Sequence, residues 1–540
     1  MVKEKGAKFI EGALILSSAG LIAKVMGLVY RIVLPRVLGE YGIGLFQLVY
    51  PIYTVLLVVS RSGIPVSLAK MVSDRIARKE RKSAFKIFKV GRNLSIAIGL
   101  FFSLLMVLLA NSLIHIFGWN SDVFYSIIAI SPAIFFVSIM ATYRGFFQGL
   151  QDMVPTAWSQ IIEQFVRMIT MIGLVYLLIP YGVKFAAAGA TFGAVTGSIA
   201  GLLTIFFIYY KRREKIWKYV NTGSTGEFKA LKIIKEMASL GIPVTLGALV
   251  LPLMSFVDAA IIPARLVIAG FPNPMELYGQ MTGMAMVLVN FPTIITISLA
   301  ASLVPAISEA FARQNHKLIK SRTETALRLT ILISLPAAVG LYVLAEQLTT
   351  IIFGSTGAAV PLQIVSWGVL FIALQQTTSA ILQGVGKTVI PARNLFYGAL
   401  TNAVLNYFLT ALPRFGIRGA ALGTVTGFAV AAFLNIYYVK KYSDFNLNFS
   451  FFVFRPLIAV IIMSVVVLQG YALFYSILPF LEKTNYILST FFIVPFGAVV
   501  YFFLLLYLRE IKYDDLLLIP KIGYRLAEML KRMGLVGENK

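Results

Sequence analysis

The chain has 540 residues, of which 59% are hydrophobic and only 13% are charged, and its formal net charge is +25. A soluble chain would carry about a quarter charged residues, so the composition indicates an all-α polytopic membrane protein. The chain has no cysteine and two histidines, which excludes disulfides and thiolate or histidine metal clusters. Basic loops held in the cytoplasm explain the positive charge, and we expect no nucleic-acid partner.

Apolar segments along the chain predict membrane-spanning helices, because a span needs about 20 apolar residues. The N-terminal segment has no convincing signal-peptide cleavage site, so we expect it to be the first span. Fourteen spans are predicted, at 10–37, 43–69, 90–117, 123–149, 155–180, 185–210, 237–268, 276–305, 326–353, 361–383, 391–412, 417–439, 452–478 and 486–508.

The loops between these segments alternate in charge. Lysine and arginine crowd the loops after spans 2, 6 and 8, whereas the loops after spans 3 and 9 are short and nearly uncharged. The positive-inside rule then places both termini in the cytoplasm and the protein in the cell membrane.

The chain also repeats itself at an offset of about 235 residues. LIHIFG at 113–118 resembles TTIIFG at 349–354, and FFQGLQDMVPT at 146–156 resembles ILQGVGKTVIP at 381–391. The offset contains six spans, so we expect two six-helix lobes in the same orientation around a central cavity. The expected organisation is an N-terminal lobe at 1–212, a cytoplasmic linker at 213–236, a C-terminal lobe at 237–442, two extra helices at 443–510 and an amphipathic tail at 511–540.

Arginines inside apolar segments are the strongest clue to function. A charge in hydrocarbon costs at least a few kcal/mol, so one that stays there usually faces a water-filled cavity or a bound anion. Arg31 could alternatively snorkel to the headgroups. Arg61 lies beside Gly63 and Pro65, which predict a broken helix that lines a cavity or packs on protein. The five arginines are Arg31, Arg61, Arg144, Arg167 and Arg265.

Span 5 carries a polar stripe. Gln160, Glu163, Gln164 and Arg167 are spaced by three or four residues and therefore share one helix face. Glu163 and Arg167 form an i, i+4 pair in the favoured order. The pair either fixes packing between spans or acts as a gate. Arg144, at the end of span 4, either caps the turn into span 5 or contacts substrate.

Asp258 and Arg265 lie seven residues apart on span 7 and so share a face. A carboxylate near the middle of a span could bind a coupling H⁺ or Na⁺. The alternative is a salt bridge from Asp258 to Arg265 or to an arginine of the other lobe.

Catalytic motifs are absent from the sequence. It has no Walker A motif and no serine with a plausible His–Asp partner set, so neither an enzyme nor direct ATP drive is indicated.

Two segments point to a family. SPAIFFVSIMATYRGFFQGLQDMVPTAWSQIIEQFVRM at 131–168 and SGIPVSLAKMVSDRIARKERKSAFKIF at 62–88 resemble the stage V sporulation protein B and YtgP-type branch of the polysaccharide-transport family. That branch belongs to the MOP flippase superfamily, with MurJ and the MATE exporters. The resemblance covers essentially the whole chain. It implies a MOP/MATE-like fold with a V-shaped cavity that alternates between inward-open and outward-open states.

The resemblance also implies a substrate, namely an undecaprenyl-pyrophosphate-linked precursor such as lipid II. In MurJ, arginines on spans 1, 2 and 8 are important. The counterparts here are Tyr30-Arg31 on span 1 and Arg61, shifted by about one turn, on span 2. The aligned part of span 8, MTGMAMVLVNFP, is uncharged.

Three alternatives stay open at this point. The chain could flip another lipid-linked polysaccharide unit, export cationic drugs as a MATE-type antiporter, or act as a scaffold for wall synthesis. An antiporter predicts an acidic cavity, and a scaffold needs no intramembrane charge. We expect a monomer in the lipid bilayer that binds a lipid-linked oligosaccharide and carries no cofactor.

Overall fold

The computed structural model describes residues 2–222, 229–443, 445, 454–477, 482–508, 510 and 523–532. These residues form helices and connecting turns without any strand. Besides the α-helices, the described residues include a 3₁₀ turn, Ile179–Tyr181, and a π-helical turn, Gln280–Ala285. The α-helices are α1 Val2–Arg61, α2 Gly63–Ala77, α3 Arg81–Phe117, α4 Val123–Ile130, α5 Pro132–Gly149, α6 Val154–Leu178, α7 Val183–Lys211, α8 Arg213–Asn221, α9 Ala230–Ile268, α10 Pro274–Gly279, α11 Met286–Ala312, α12 His316–Val343, α13 Ala345–Phe353, α14 Ala359–Val365, α15 Gly368–Gly384, α16 Val389–Leu409, α17 Ile417–Ser443, α18 Arg455–Ile477, α19 Glu482–Tyr507 and α20 Gly523–Arg532.

Twelve helical segments in the described part of the chain are long and apolar enough to cross a membrane. The first of them, Ile15–Ala77, contains both of the first two predicted spans. Helix α16 coincides with the eleventh predicted span, but its polar residues, Arg393 and several asparagines, keep it outside the twelve. The all-helical membrane class is therefore confirmed, and the count of fourteen spans stays a prediction.

Helix α1 contains a reversal at Gly39. The φ angle of Gly39 is 68°, which a residue without a Cβ adopts readily. Tyr30 and Tyr50, on either side of it, lie near each other. In a straight helix twenty residues would separate them by about 30 Å. The two halves of α1 must therefore lie side by side, as expected for spans 1 and 2.

The helices pack as two compact units. One unit comprises Met1–Met284 and Asn406–Ile417, and the other comprises Ala285–Leu405 and Arg418–Lys540. In the first, α6 packs along α7, and α5 packs on α2, α3 and α7. In the second, α11, α12 and α15 pack together, and the pair α18–α19 covers α12 through an apolar cluster that includes Leu335, Met463 and Ile493. These units follow packing rather than sequence repetition, so the predicted lobes at 1–212 and 237–442 stay a prediction.

The C-terminal tail is helical where it is described. Helix α20 buries Ala527 and Leu530 and exposes Tyr524, Arg525 and Lys531, which is an amphipathic arrangement. The rest of the predicted tail lies outside the described residues, as do residues 223–228 of the predicted linker.

Candidate functional site

A buried ion triad lies between α5 and α6. One carboxylate oxygen of Glu163 lies 2.9 Å from an Nη of Arg144, and the other lies 2.7 Å from an Nη of Arg167. Glu163 is 6% exposed and Arg167 is 7% exposed. The predicted pair of Glu163 and Arg167 is therefore present, and Arg144 joins it as a second cation on the same carboxylate.

Ser159 completes the geometry of the triad. Arg144 donates from Nε and Nη to its hydroxyl at 3.2 and 2.8 Å. Ser159 in turn donates to the backbone carbonyl of Gly201 on α7 at 2.9 Å. Ser159 lies one turn before Glu163, so it extends the polar stripe of α6. Sequence reasoning missed this residue, although its spacing from Glu163 could have revealed it.

Glycines on α7 allow α6 to approach closely enough to bury these charges. A Cβ at Gly197 would lie 2.7 Å from Cβ of Arg167 and 2.8 Å from the carbonyl oxygen of Glu163. A Cβ at Gly201 would lie 3.0 Å from Cβ of Glu163. Close approach through small residues is a common way to pack membrane helices. The α7 glycines therefore determine how closely α6 packs on α7 and how completely the triad is buried.

Arg61 stands at the bend predicted from the sequence. Helix α1 ends at Arg61 and α2 begins at Gly63. Pro65 has no N–H to donate to the carbonyl of Arg61, which weakens the helix at this point. Gly145 of α5 packs on Pro65, since a Cβ there would lie 2.7 Å from the proline Cα. This contact sets Arg61 close enough to Arg144 and Glu163 for charge–charge interaction.

Tyrosines connect this centre to Arg31. Tyr50 lies near Arg31, Arg167 and Glu163, and Tyr30 lies near Arg31. Unlike the triad, Arg31 is an exposed side chain. The structure thus brings Arg31, Arg61, Arg144, Glu163 and Arg167 into one electrostatic group, which we call the cationic cluster. The tyrosines carry no distinctive signal in the sequence, because aromatic residues on a span are more often simple packing.

Two polar atoms in or beside the cluster are buried without a hydrogen-bond partner among the described residues. They are the hydroxyl of Tyr53 and Nε of Arg167. A buried polar atom that lacks a partner costs about 1–3 kcal/mol, so such atoms often mark a place where water or a ligand binds in another state. Arg61 likewise makes no hydrogen bond or ion pair within the described part of the chain.

Gln160 and Gln164 lie on the same stripe of α6 and are half-buried. Gly20 on α1 faces Gln160, because a Cβ there would approach its side-chain nitrogen to 3.9 Å. The two glutamines therefore extend the polar surface of α6 beyond the triad.

Asp258 and Arg265 make separate contacts in the same unit. Asn406 donates to a carboxylate oxygen of Asp258 at 2.8 Å. Arg265 donates to the carbonyl of Tyr407 at 2.8 Å and stacks on its ring at 3.8 Å. The hydrogen bond from Asn406 orients the carboxylate of Asp258. The guanidinium group of Arg265 binds Tyr407 instead.

The chemistry of the cluster is that of anion binding. Four guanidinium groups share the cluster with one carboxylate, so the group is cationic even after internal pairing. Guanidinium groups pair two oxygens at once and remain charged when buried. Within the described residues, no group of three or more histidine, aspartate or glutamate side chains could hold a metal ion. The fold defines a multi-pass membrane protein, and the positive charge of this cluster is suited to an anionic group.

Comparison with known proteins gives the family. The profile described as polysaccharide biosynthesis protein matches residues 9–311, and that of MatE matches residues 281–408. Stage V sporulation protein B of Bacillus subtilis (strain 168) is 30% identical over 521 residues, covering 95% of this chain and 98% of that protein. The chain belongs to the polysaccharide biosynthesis protein family, and it is a flippase of the MOP superfamily rather than an enzyme.

Two further comparisons agree with this assignment. Lipid II flippase MurJ of Bacillus subtilis (strain 168) is 28% identical, covering 82% of this chain and 84% of that protein. A solved structure of lipid II flippase MurJ in an inward closed conformation has a TM-score of 0.68 at 16% identity, covering 93% of this chain and 100% of that chain. At this identity the likeness to the solved structure shows the fold alone.

Proposed function

We propose that this chain moves an undecaprenyl-pyrophosphate-linked cell-wall precursor, most specifically lipid II, across the cytoplasmic membrane by alternating access. The observation that carries the proposal is the cationic cluster, in which four arginines accompany the single carboxylate of Glu163. The names of the relatives support the substrate class, since one of them is a lipid II flippase.

The physical task explains why arginine is used. A pyrophosphate that leaves water needs charged hydrogen-bond donors to replace its hydration, and guanidinium groups supply them in pairs. Arg61 is the cation best placed to begin binding, because it makes no ion pair within the described chain and lies at a weakened point of the helix. Arg144 and Arg167 would exchange part of their hold on Glu163 for the substrate.

The membrane potential favours movement of this anionic headgroup from the inner to the outer face of the membrane. An inside-negative potential drives an anion outward with about 2.3 kcal/mol per charge per 100 mV. Asp258, held by Asn406, is the group we propose for any coupling H⁺ or Na⁺. We also propose that both termini lie in the cytoplasm and that a monomer suffices.

The charge of the cluster separates this proposal from one alternative, a MATE-type exporter. A MATE-type exporter of cationic drugs would need an acidic site, whereas this site is cationic. A flippase for another lipid-linked polysaccharide would share the pyrophosphate site, so only the choice of glycan in the assay distinguishes it.

The test is flipping of fluorescent lipid II by the purified full chain in liposomes. Arg61→Ala should reduce the rate by about tenfold or more, because a charge-assisted hydrogen bond contributes about 1.5–3 kcal/mol. Arg78→Ala, which removes an exposed arginine after α2, is the matched control and should keep the native rate. Native flipping by a protein lacking both Arg31 and Arg61 would contradict the pyrophosphate site. Flipping of a different polyprenyl-linked glycan, but not of lipid II, would contradict the assignment of lipid II as the substrate.

A further inference from the structure

A cavity outside the cationic cluster lies beside the basic loops of the first unit. Its volume is about 450 Å³, and it is lined by the first turns of α3, the end of α5 and helix α8. This size lies within the range of ligand-binding pockets, which is roughly 300–1,000 Å³. Neither the family nor the proposed transport reaction assigns a role to it.

The floor of the cavity is apolar and built from packed aromatic rings. Phe85, Phe146 and Phe147 line it, and Phe146 stacks on Phe88 with ring centroids 4.3 Å apart. These rings are buried. The floor can therefore accept the apolar part of a ligand without rearrangement.

The rim of the cavity is cationic. Arg81, Arg212 and Lys215 line it together with one acid, Asp152. Arg212 pairs with Asp152, which neutralises that acid.

Among the described residues, the partners of Arg81 are neutral, namely the ring of Tyr219 at 4.0 Å and the hydroxyl of Thr222. Neither Arg81 nor Lys215 makes an ion pair among the described residues, so two positive charges remain available to an anion.

The depth of the rim matches that of lipid phosphates. Phe207 and Tyr210 on α7 are 65% and 62% exposed, as expected for side chains that face the bilayer. Arg212 follows Phe207 by about 7.5 Å along the helix axis. The headgroup layer beyond the hydrocarbon is roughly 5–8 Å deep on each side. Trp217, exposed on the amphipathic helix α8, is a residue typical of this layer.

We propose that this cavity binds the phosphodiester headgroup of an anionic glycerophospholipid from the leaflet on the side of the basic loops. Arg81 and Lys215 bind the phosphate, and the phenylalanine floor takes the glycerol and the start of an acyl chain. The remaining acyl chain then runs along the exposed face of α7. Because α8 lies between α7 and α9 in the chain, a bound lipid would hold α8 against the ends of α3 and α5.

The experiment measures binding of short-chain phosphatidylglycerol to the purified full chain by native mass spectrometry, with phosphatidylcholine of the same chain length for comparison. We expect one saturable phosphatidylglycerol site that phosphatidylcholine does not fill at tenfold higher concentration. Arg81→Gln and Lys215→Gln should each weaken binding by about tenfold or more, as expected for loss of a charged hydrogen bond. The control Lys86→Gln removes the same charge from α3 at an exposed position outside the cavity and should change affinity less than threefold.

Lys215→Gln keeps the test decisive if Arg81→Gln fails to fold, since Lys215 is exposed and supports no structural contact among the described residues. Equal binding of the two lipids would overturn the proposal. So would equal losses in Lys215→Gln and Lys86→Gln, which would indicate diffuse surface charge. Displacement of the lipid by millimolar inorganic phosphate would show a site for soluble anions instead.

Discussion

Removing the charge of Glu163 should destabilise the protein more than removing the whole triad. Glu163→Gln preserves the shape of the side chain but leaves Arg144 and Arg167 facing an uncharged group at 2.9 and 2.7 Å. Breaking a buried ion pair by losing one partner costs about 3–5 kcal/mol. Because one carboxylate serves two nearly buried arginines, we expect a loss of about 5 kcal/mol in the free energy of unfolding.

The matched variant replaces all three charged residues by apolar ones, as Arg144→Met, Glu163→Leu and Arg167→Met together. Replacing a complete buried ion network is often neutral or stabilising by about 1–4 kcal/mol, since no desolvated charge remains. We expect this variant to be as stable as the native protein or more so. It should nevertheless fail to flip lipid II, because two of the cations proposed to bind the pyrophosphate are gone.

Thermal unfolding of the purified variants and flipping in liposomes measure the two properties separately. A triple variant that flips at the native rate would show that the triad contributes packing alone. A Glu163→Gln protein with native stability would refute the burial argument itself. The charge exchange Glu163→Arg with Arg167→Glu gives a further check. It keeps an i, i+4 pair but sets a second cation beside Arg144, so it should recover neither stability nor transport.

Other predictions address the coupling ion, helix packing and topology. Asp258→Asn can still accept the hydrogen bond from Asn406, so the protein should fold normally but lose any dependence of flipping on a H⁺ or Na⁺ gradient; an unchanged dependence would exclude Asp258. Gly197→Val should cost about 1–3 kcal/mol or more and impair transport, because its side chain would collide with the backbone of α6; native stability would contradict the close packing. Cysteine placed at Lys218 of this cysteine-free chain should react only with reagents inside, and cysteine at Thr356 only with reagents outside; labelling of both from one face would overturn the predicted topology.

The sequence by itself determined the class of fold and the stripe on α6. A bilayer requires apolar segments of about 20 residues and favours basic loops on the cytoplasmic side. These two patterns can be seen in the sequence of any chain that crosses the membrane several times. The helical period likewise places Glu163 and Arg167 on one face from their spacing alone. The same spacing places Ser159 on that face, but it does not show which groups its hydroxyl would bond.

Only the tertiary structure decided which charges meet. Nothing in the sequence indicated that Arg144 would share Glu163 with Arg167, since the choice depends on how α5 crosses α2 and α6. That crossing is fixed by contacts such as Gly145 on Pro65, which no helical period reveals. The partners of Asp258 and Arg265 were undecided for the same reason. Spacing along one helix shows which residues share a face, but packing between helices determines what that face meets.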